Sequence, residues 1–271
     1  MSYKIQLFLL PFAGGNATSF QKLEQQLGPK IEPVSIEYAG RGSRLQEGYI
    51  TEYDVFLEDV VKQMKEKRNP DLPYAIFGYS MGAAFAYEIA SRHLLDVSPA
   101  HLFYGARACI ASQRIREMSE DDFVEYAKTL GGFPEEVKNS RLFKLFIHPL
   151  KEDYAVAKQF HFEKGDLPNC DTAVFYSEQD TPFANVNGWK ELTSGKTEFY
   201  ELGSNHFFVK DHYMEMAECI NGKLGLYTKE RQARYEKNYY CRSRRLWQGA
   251  AVVDQRHKQG QTNMGNSRLY R

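Results

Sequence analysis

A chain of 271 residues with 42% apolar content can bury one large core, so one domain carrying an insertion is the first expectation. Its 35 basic and 35 acidic residues cancel, but 11 Lys/Arg against 3 Asp/Glu fall from Thr228 onward, leaving residues 1–227 mildly acidic and unsuited to general nucleic-acid binding. Four widely separated cysteines, Cys109, Cys170, Cys219 and Cys241, argue against a disulfide framework or zinc site and fit reduced thiols in the cytoplasm; no apolar run approaches the ~20 residues of a membrane span.

In chain order, Ile5 to Leu10 is predicted as a buried strand. The stretch Lys4 to Leu10 is too short for a signal-peptide core, contains Gln6 and ends at Pro11. Pro11-Phe12-Ala13-Gly14-Gly15 follows, a loop whose backbone can approach a ligand closely. No Gly-Lys-Ser/Thr comes after it, which argues against a phosphate loop. A helix is predicted over Phe20 to Leu27, a strand over Pro33 to Glu37 and a helix over Tyr53 to Lys65.

The strand Tyr74 to Phe77 then gives way to the helix Met81 to His93 through Gly78-Tyr79-Ser80-Met81-Gly82. A serine on so sharp a turn is held in a strained backbone with its Oγ exposed, and the flanking glycines let neighbouring strand and helix close in. The pentapeptide alone is a weak signal. Pro73, the small run Gly82-Ala83-Ala84 and the helix formers Ala86, Glu88, Ile89 and Ala90 raise it above the alternative of a plain N-cap serine.

After the strand His101 to Tyr104 the rhythm breaks. Residues 115 to 165 show helical patterns without a convincing strand: Phe123, Tyr126, Ala127 and Leu130 share one face, as do Leu142, Leu145, Phe146 and Leu150, with the turn Gly131-Gly132-Phe133-Pro134 between them. Such an insertion is expected to cap the strand ends, where ligands bind in open α/β sheets; a peripheral helical pair is the alternative. Strands Thr172 to Tyr176 and Thr197 to Leu202, with helices Val186 to Leu192 and His212 to Leu224, complete an alternation that implies a mostly parallel α/β sheet with helices on both faces.

A serine hydroxyl requires a base within hydrogen-bond reach, and the base requires an orienting acid. Asp180 falls in the loop Ser177-Glu178-Gln179-Asp180-Thr181-Pro182 after one late strand, and His206 in Gly203-Ser204-Asn205-His206-Phe207-Phe208 after the next. Glu178 competes with Asp180, and His212 is the poorer base because it reads as a helix residue. Oxyanion donors are expected from the N–H of Met81, at the start of the elbow helix, and from that of Ala13.

Together these residues resemble the type II thioesterases of nonribosomal peptide and polyketide synthesis. The resemblance rests on Pro11-Phe12-Ala13-Gly14-Gly15, Gly40-Arg41-Gly42-Ser43-Arg44, Gly78-Tyr79-Ser80-Met81-Gly82-Ala83, Leu130-Gly131-Gly132-Phe133-Pro134, the Asp153-Tyr154 region, Asp180 and His206-Phe207-Phe208, across roughly residues 5 to 226. It implies an α/β-hydrolase fold with a helical lid, hydrolysing acyl thioesters held on the phosphopantetheine arm of acyl or peptidyl carrier protein domains. It also implies Ser80, Asp180 and His206 as triad and Ala13 and Met81 as oxyanion donors, with no metal or redox cofactor. Two positions depart from the family pattern: Tyr79 stands where histidine is common, and Ala106-Arg107-Ala108-Cys109 replaces a Ser-Arg-rich, Pro-ending stretch.

The expected organisation is a thioesterase domain over residues 1–227, with its lid at about 115–165, and a basic, disordered tail over 228–271. The protein is expected to be a monomer that binds neither membrane nor specific nucleic acid. Arg141, Lys144 and Lys151 offer docking contacts to an acidic carrier helix, although a solvated helix face is the plainer reading of each. Two other functions compete: a medium-chain fatty acyl carrier protein hydrolase or general ester hydrolase, and a catalytically silent hydrolase fold within a synthase complex.

Overall fold

The computed structural model describes residues 5–111, 117–131, 135–138, 140, 143 and 147–225. Six strands, β1 (Ile5–Leu10), β2 (Ile31–Ser35), β3 (Tyr74–Tyr79), β4 (His101–Gly105), β5 (Asp171–Tyr176) and β6 (Thr197–Glu201), form one sheet in the order β2-β1-β3-β4-β5-β6. Every neighbouring pair is parallel, for example Leu9 opposite Phe77 and Phe77 opposite Phe103. All residues of β1, β3 and β4 are buried. These strands read as continuous apolar runs because a parallel strand covered on both faces has no side for water.

From β1 the chain moves outward to β2 and then crosses back to β3 on the other side of β1, so the strand order reverses between β1 and β3. Crevices outside the carboxyl ends of strands form at such a reversal. The Pro11-Gly15 loop and Ser80 follow those two strand ends.

Strand β2 begins two residues before the expected Pro33. It is an edge strand, paired only with β1, and Pro33 sits opposite Leu7. An edge tolerates a residue without an N–H, so the proline did not have to open the strand.

The expected helix over Phe20 to Leu27 is a 3₁₀ turn, Ala17–Phe20, running into the short α1 (Gln21–Glu24). Asn16 starts the turn early: its Oδ1 accepts from Thr18 N at 3.0 Å, and its own N–H donates to Ser19 Oγ at 2.9 Å. Helix α2 (Tyr53–Lys67) buries Phe56, Leu57, Val60, Val61 and Met64, one face at helical spacing. Helix α3 (Met81–Ser91) is buried at every position, which its small residues Gly82, Ala83, Ala84, Ala86 and Ala90 permit. It ends where His93 turns left-handed, at φ 53°, and Leu94 N donates to Ile89 O at 3.0 Å.

Between β4 and β5 lie α4 (Glu120–Thr129), α5 (Glu135–Lys138) and α6 (His148–Ala157), with no strand among the described residues. Phe123, Ala127 and Leu130 are buried as their spacing predicts, while Tyr126 of the same run is 38% exposed. Gly132-Phe133-Pro134, Leu142, Leu145 and Phe146 lie outside the described residues, as does the basic stretch from Thr228.

Late in the chain, Pro182 opens α7 (Phe183–Val186) three residues before the expected start, and a 3₁₀ turn Asn187–Leu192 continues it. Helix α8 (Tyr213–Gly225) closes the described chain and packs on α1. Among the described residues no helix is long and apolar enough to cross a membrane.

Candidate active site

Ser80 sits between β3 and α3 with φ 53° and ψ −110°, a conformation that costs a side-chain-bearing residue on the order of 1–3 kcal/mol. The surroundings enforce it. Ser80 N donates to Gly105 O at the end of β4 at 2.7 Å. A Cβ on Gly78 would lie 2.2 Å from Gly82 O, and one on Gly82 would lie 2.2 Å from Leu10 O. Both glycines are therefore needed for close packing of β3, α3 and β1, and that packing presents the serine at the sheet's carboxyl edge.

Two other loops from the same edge converge on it. His206, after β6, places Nε2 3.0 Å from Ser80 Oγ, and its Nδ1 lies 2.9 Å from Asp180 Oδ2, after β5. An ionised carboxylate only accepts, so Nδ1 carries the proton and Nε2 is left to accept from the serine hydroxyl. Thr181 Oγ1 donates to the same Asp180 oxygen at 3.0 Å, and Asp180 N donates to Ser177 O at 3.1 Å, fixing the acid's orientation. The side chains of His206 and Asp180 are 14% and 15% exposed, shielded yet open to the cavity beside them.

The competing residues are directed elsewhere. Glu178 accepts from Phe183 N at 2.8 Å, capping α7, and His212 pairs with Glu215 at 3.0 Å.

Tyr79 does more than the packing its sequence position suggests. Its hydroxyl donates to His206 O at 2.8 Å and accepts from Val209 N at 3.3 Å, so the residue next to the serine braces the histidine loop. Burial raises its phenol well above the ordinary tyrosine value, keeping it a neutral donor. A phenol in an otherwise apolar strand end was the available signal, since a buried Tyr hydroxyl usually finds a partner.

Ser80, Asp180 and His206 all open onto one cavity of about 650 Å³, walled on the apolar side by Leu130, Leu150 and Ala157. Ala13 and Met81 also line it, and neither backbone amide is engaged in a loop hydrogen bond among the described residues. Met81 is the first residue of α3, whose leading N–H groups have no partner within the helix.

Sequence reasoning missed a buried clamp behind this wall. Arg41 Nη2 donates to Asp153 Oδ1 at 2.6 Å and its Nη1 donates to Asp153 Oδ2 at 2.5 Å, while Gly14 N donates to Oδ2 at 2.7 Å. Arg41 Nη1 also donates to Gly15 O at 3.2 Å. The pair thus ties the Ala13 loop to α6, both partners being buried. Burial pushes the Asp153 carboxyl upward and the two guanidinium bonds oppose it; the bidentate geometry is that of an ion pair. Arg41 and Asp153 stand 112 residues apart in sequence, so no local pattern links them.

A serine hydroxyl bonded to an imidazole, that imidazole bonded to a carboxylate, and two nearby amides with no loop hydrogen bond among the described residues form an arrangement chemically suited to acyl transfer. The thioesterase domain family matches residues 5–224. Gramicidin S biosynthesis protein GrsT of Aneurinibacillus migulanus is 27% identical over 82% of this chain and 90% of its own length. The medium-chain S-acyl fatty acid synthase thioesterase of Rattus norvegicus is 28% identical over 75% of this chain and 81% of its own. Among solved structures, the type II thioesterase BorB from the borrelidin biosynthetic cluster superposes with a TM-score of 0.72 at 25% identity, covering 82% of this chain and 93% of that one.

Proposed function

The chain belongs to the thioesterase family and is a thioester hydrolase of α/β-hydrolase fold, and from that premise we propose that it removes acyl groups from the phosphopantetheine arm of carrier protein domains. The resemblance to type II thioesterases read from the sequence is upheld by these relatives. The observation that carries the proposed mechanism is the unbroken chain from Ser80 Oγ through His206 to Asp180 at 3.0 and 2.9 Å.

In this reading Ser80 Oγ attacks the thioester carbonyl while His206 Nε2 takes its proton. The oxyanion is held by the N–H groups of Ala13 and Met81. His206 then returns the proton to the departing thiol, leaving an acyl group on Ser80, and activates a water that releases it. Asp180 holds the imidazole in the required tautomer and stabilises its cationic form.

Asp180→Asn is expected to lower kcat by about 10³–10⁴, because an amide donor at that place favours the wrong tautomer. Glu178→Gln should leave turnover near the unmodified level, since Glu178 caps α7 instead. Steady-state kinetics on one small thioester checks both, and reversed effects would reassign the acid.

The carrier as substrate is supported by relatives whose names place them in gramicidin S and borrelidin biosynthesis. Residues 115–165 would act as the lid: Leu130 O accepts from His206 N at 3.2 Å and Asp153 of α6 accepts from Gly14 N, so the insertion reaches the site on both sides. Of the basic docking candidates, Arg141 and Lys144 lie outside the described residues, and Lys151 is paired with Glu120 at 3.0 Å. Action as a monomer in the cytoplasm accompanies the proposal, as does the division into a catalytic domain over 1–227 and a dispensable tail; Cys109, Cys170 and Cys219 are not joined in disulfides, which fits a reducing compartment.

The relationship to the rat enzyme favours a second reading, release of medium-chain fatty acyl groups. Comparing acyl carrier protein with coenzyme A bearing the same acyl groups tests the carrier reading. Remote docking contacts help position the thioester, so kcat/KM is expected to be higher on the carrier. Equal efficiency on both would defeat it, and a preference for eight- to twelve-carbon chains would favour the second reading.

A further inference from the structure

The cavity wall beyond Ser80 contains a cation with no counter-charge among the described residues. Arg107 is 8% exposed and lines the cavity, yet its guanidinium makes no hydrogen bond or ion pair among the described residues, and its Nε is buried without a partner. Its electrostatic neighbours are the phenols of Tyr53, Tyr126 and Tyr154, none of them a carboxylate. Arginine stays protonated in proteins, so this is a desolvated positive charge, and such charges are retained where something pairs with them. By contrast Arg41, also buried, has Asp153 in bidentate contact.

The acids bordering the cavity do not supply that partner. Asp180 is engaged by His206 and Thr181, and Asp122 and Glu125 stand on the exposed face of α4. The backbone at Arg107 is firmly placed: Trp189 Nε1 donates to its carbonyl at 3.0 Å, and Ala106 N donates to Phe175 O at 3.0 Å. Only Ala106 separates it from Gly105, whose carbonyl receives Ser80 N. Two residues of chain span about 7 Å at most, so the Arg107 backbone is anchored close to Ser80 on the wall of the cavity that both line.

Resting on the thioesterase reading above, we propose that Arg107 recognises a carboxylate on the acyl group itself, making dicarboxylic half-thioesters a preferred substrate class. A planar guanidinium fits a carboxylate with two parallel hydrogen bonds, and the apolar wall of Leu130, Leu150 and Ala157 takes up the short carbon chain between the two ends. Tyr126 and Tyr154, two of the phenols that neighbour Arg107, line the same cavity.

The experiment compares N-acetylcysteamine thioesters in size-matched pairs: malonyl with propionyl, succinyl with butyryl, glutaryl with valeryl. The full-length wild-type protein is expected to hydrolyse at least one dicarboxylic member about tenfold or more faster, in kcat/KM, than its neutral partner. Arg107→Gln is expected to lose roughly 10- to 100-fold on that member while the neutral thioesters change little. Neutral acyl groups hydrolysed as well as or better than all three dicarboxylic partners by the wild type would overturn the inference and leave the thioesterase mechanism standing. So would a variant that loses both classes equally. Should Arg107→Gln not fold, the wild-type comparison decides alone; hydrolysis of none of the six would overturn the inference and the mechanism together.

Discussion

Ser80→Ala is expected to lower kcat/KM on any acyl thioester by roughly four to six orders of magnitude while the fold is retained. The size follows from the geometry: Oγ is the Ser80 atom bonded to His206, and once it is gone the proposed oxyanion amides and the cavity would contribute only residual catalysis. Stability should hardly change. Alanine occupies the same φ 53° backbone with the same Cβ, so the strain at the elbow is neither relieved nor increased. The check is paired: thermal unfolding of the variant close to that of the parent, and no acyl adduct on the intact protein by mass spectrometry after exposure to a slow thioester. Turnover near the parent's would sink the serine mechanism.

Asp153→Ala has the largest expected effect on stability. It leaves the Arg41 guanidinium buried without its carboxylate and removes the acceptor of Gly14 N, and breaking a buried pair from one side typically costs about 3–5 kcal/mol. For a domain of this size that corresponds to a fall in Tm of about 10 °C. Activity should fall further than stability alone explains, because the Ala13 loop adjoins the lost contact. Removing both charges with apolar side chains, as in Arg41→Met with Asp153→Leu, should recover most of the stability, since no uncompensated charge remains. A cost for Asp153→Ala of under about 1 kcal/mol, the level of an exposed pair, would show that the clamp does not hold the two segments together.

Local chemistry explains why so much of the core arrangement was legible. Strands β1, β3, β4 and β5 are apolar runs bounded by turn residues, and burial on both faces requires that composition. Glycines two residues either side of Ser80 announced an elbow because no other residue fits against Gly82 O and Leu10 O. Asp180 and His206 were marked by falling in loops after late strands, and the fold brings those same two side chains to Ser80. The insertion's helical character was legible from its 3.6-residue spacing.

What escaped the sequence depends on residues far apart in the chain meeting in space. Edge position let β2 start before Pro33, and only the strand order shows that it is an edge. Only the packing of their loop decides that Asp180 points at the histidine while Glu178 caps α7. Tyr79 became a brace for the His206 loop, 127 residues away, only once β3 and the loop after β6 were packed together. The pairing of Arg41 with Asp153, and the absence of a partner for the Arg107 guanidinium among the described residues, are likewise matters of partnership. A sequence by itself determines which side chains carry charge, hydroxyl or apolar surface and which backbone turns they can occupy; tertiary structure decides who pairs with whom, because hydrogen bonds and ion pairs act over a few ångströms that only folding can close.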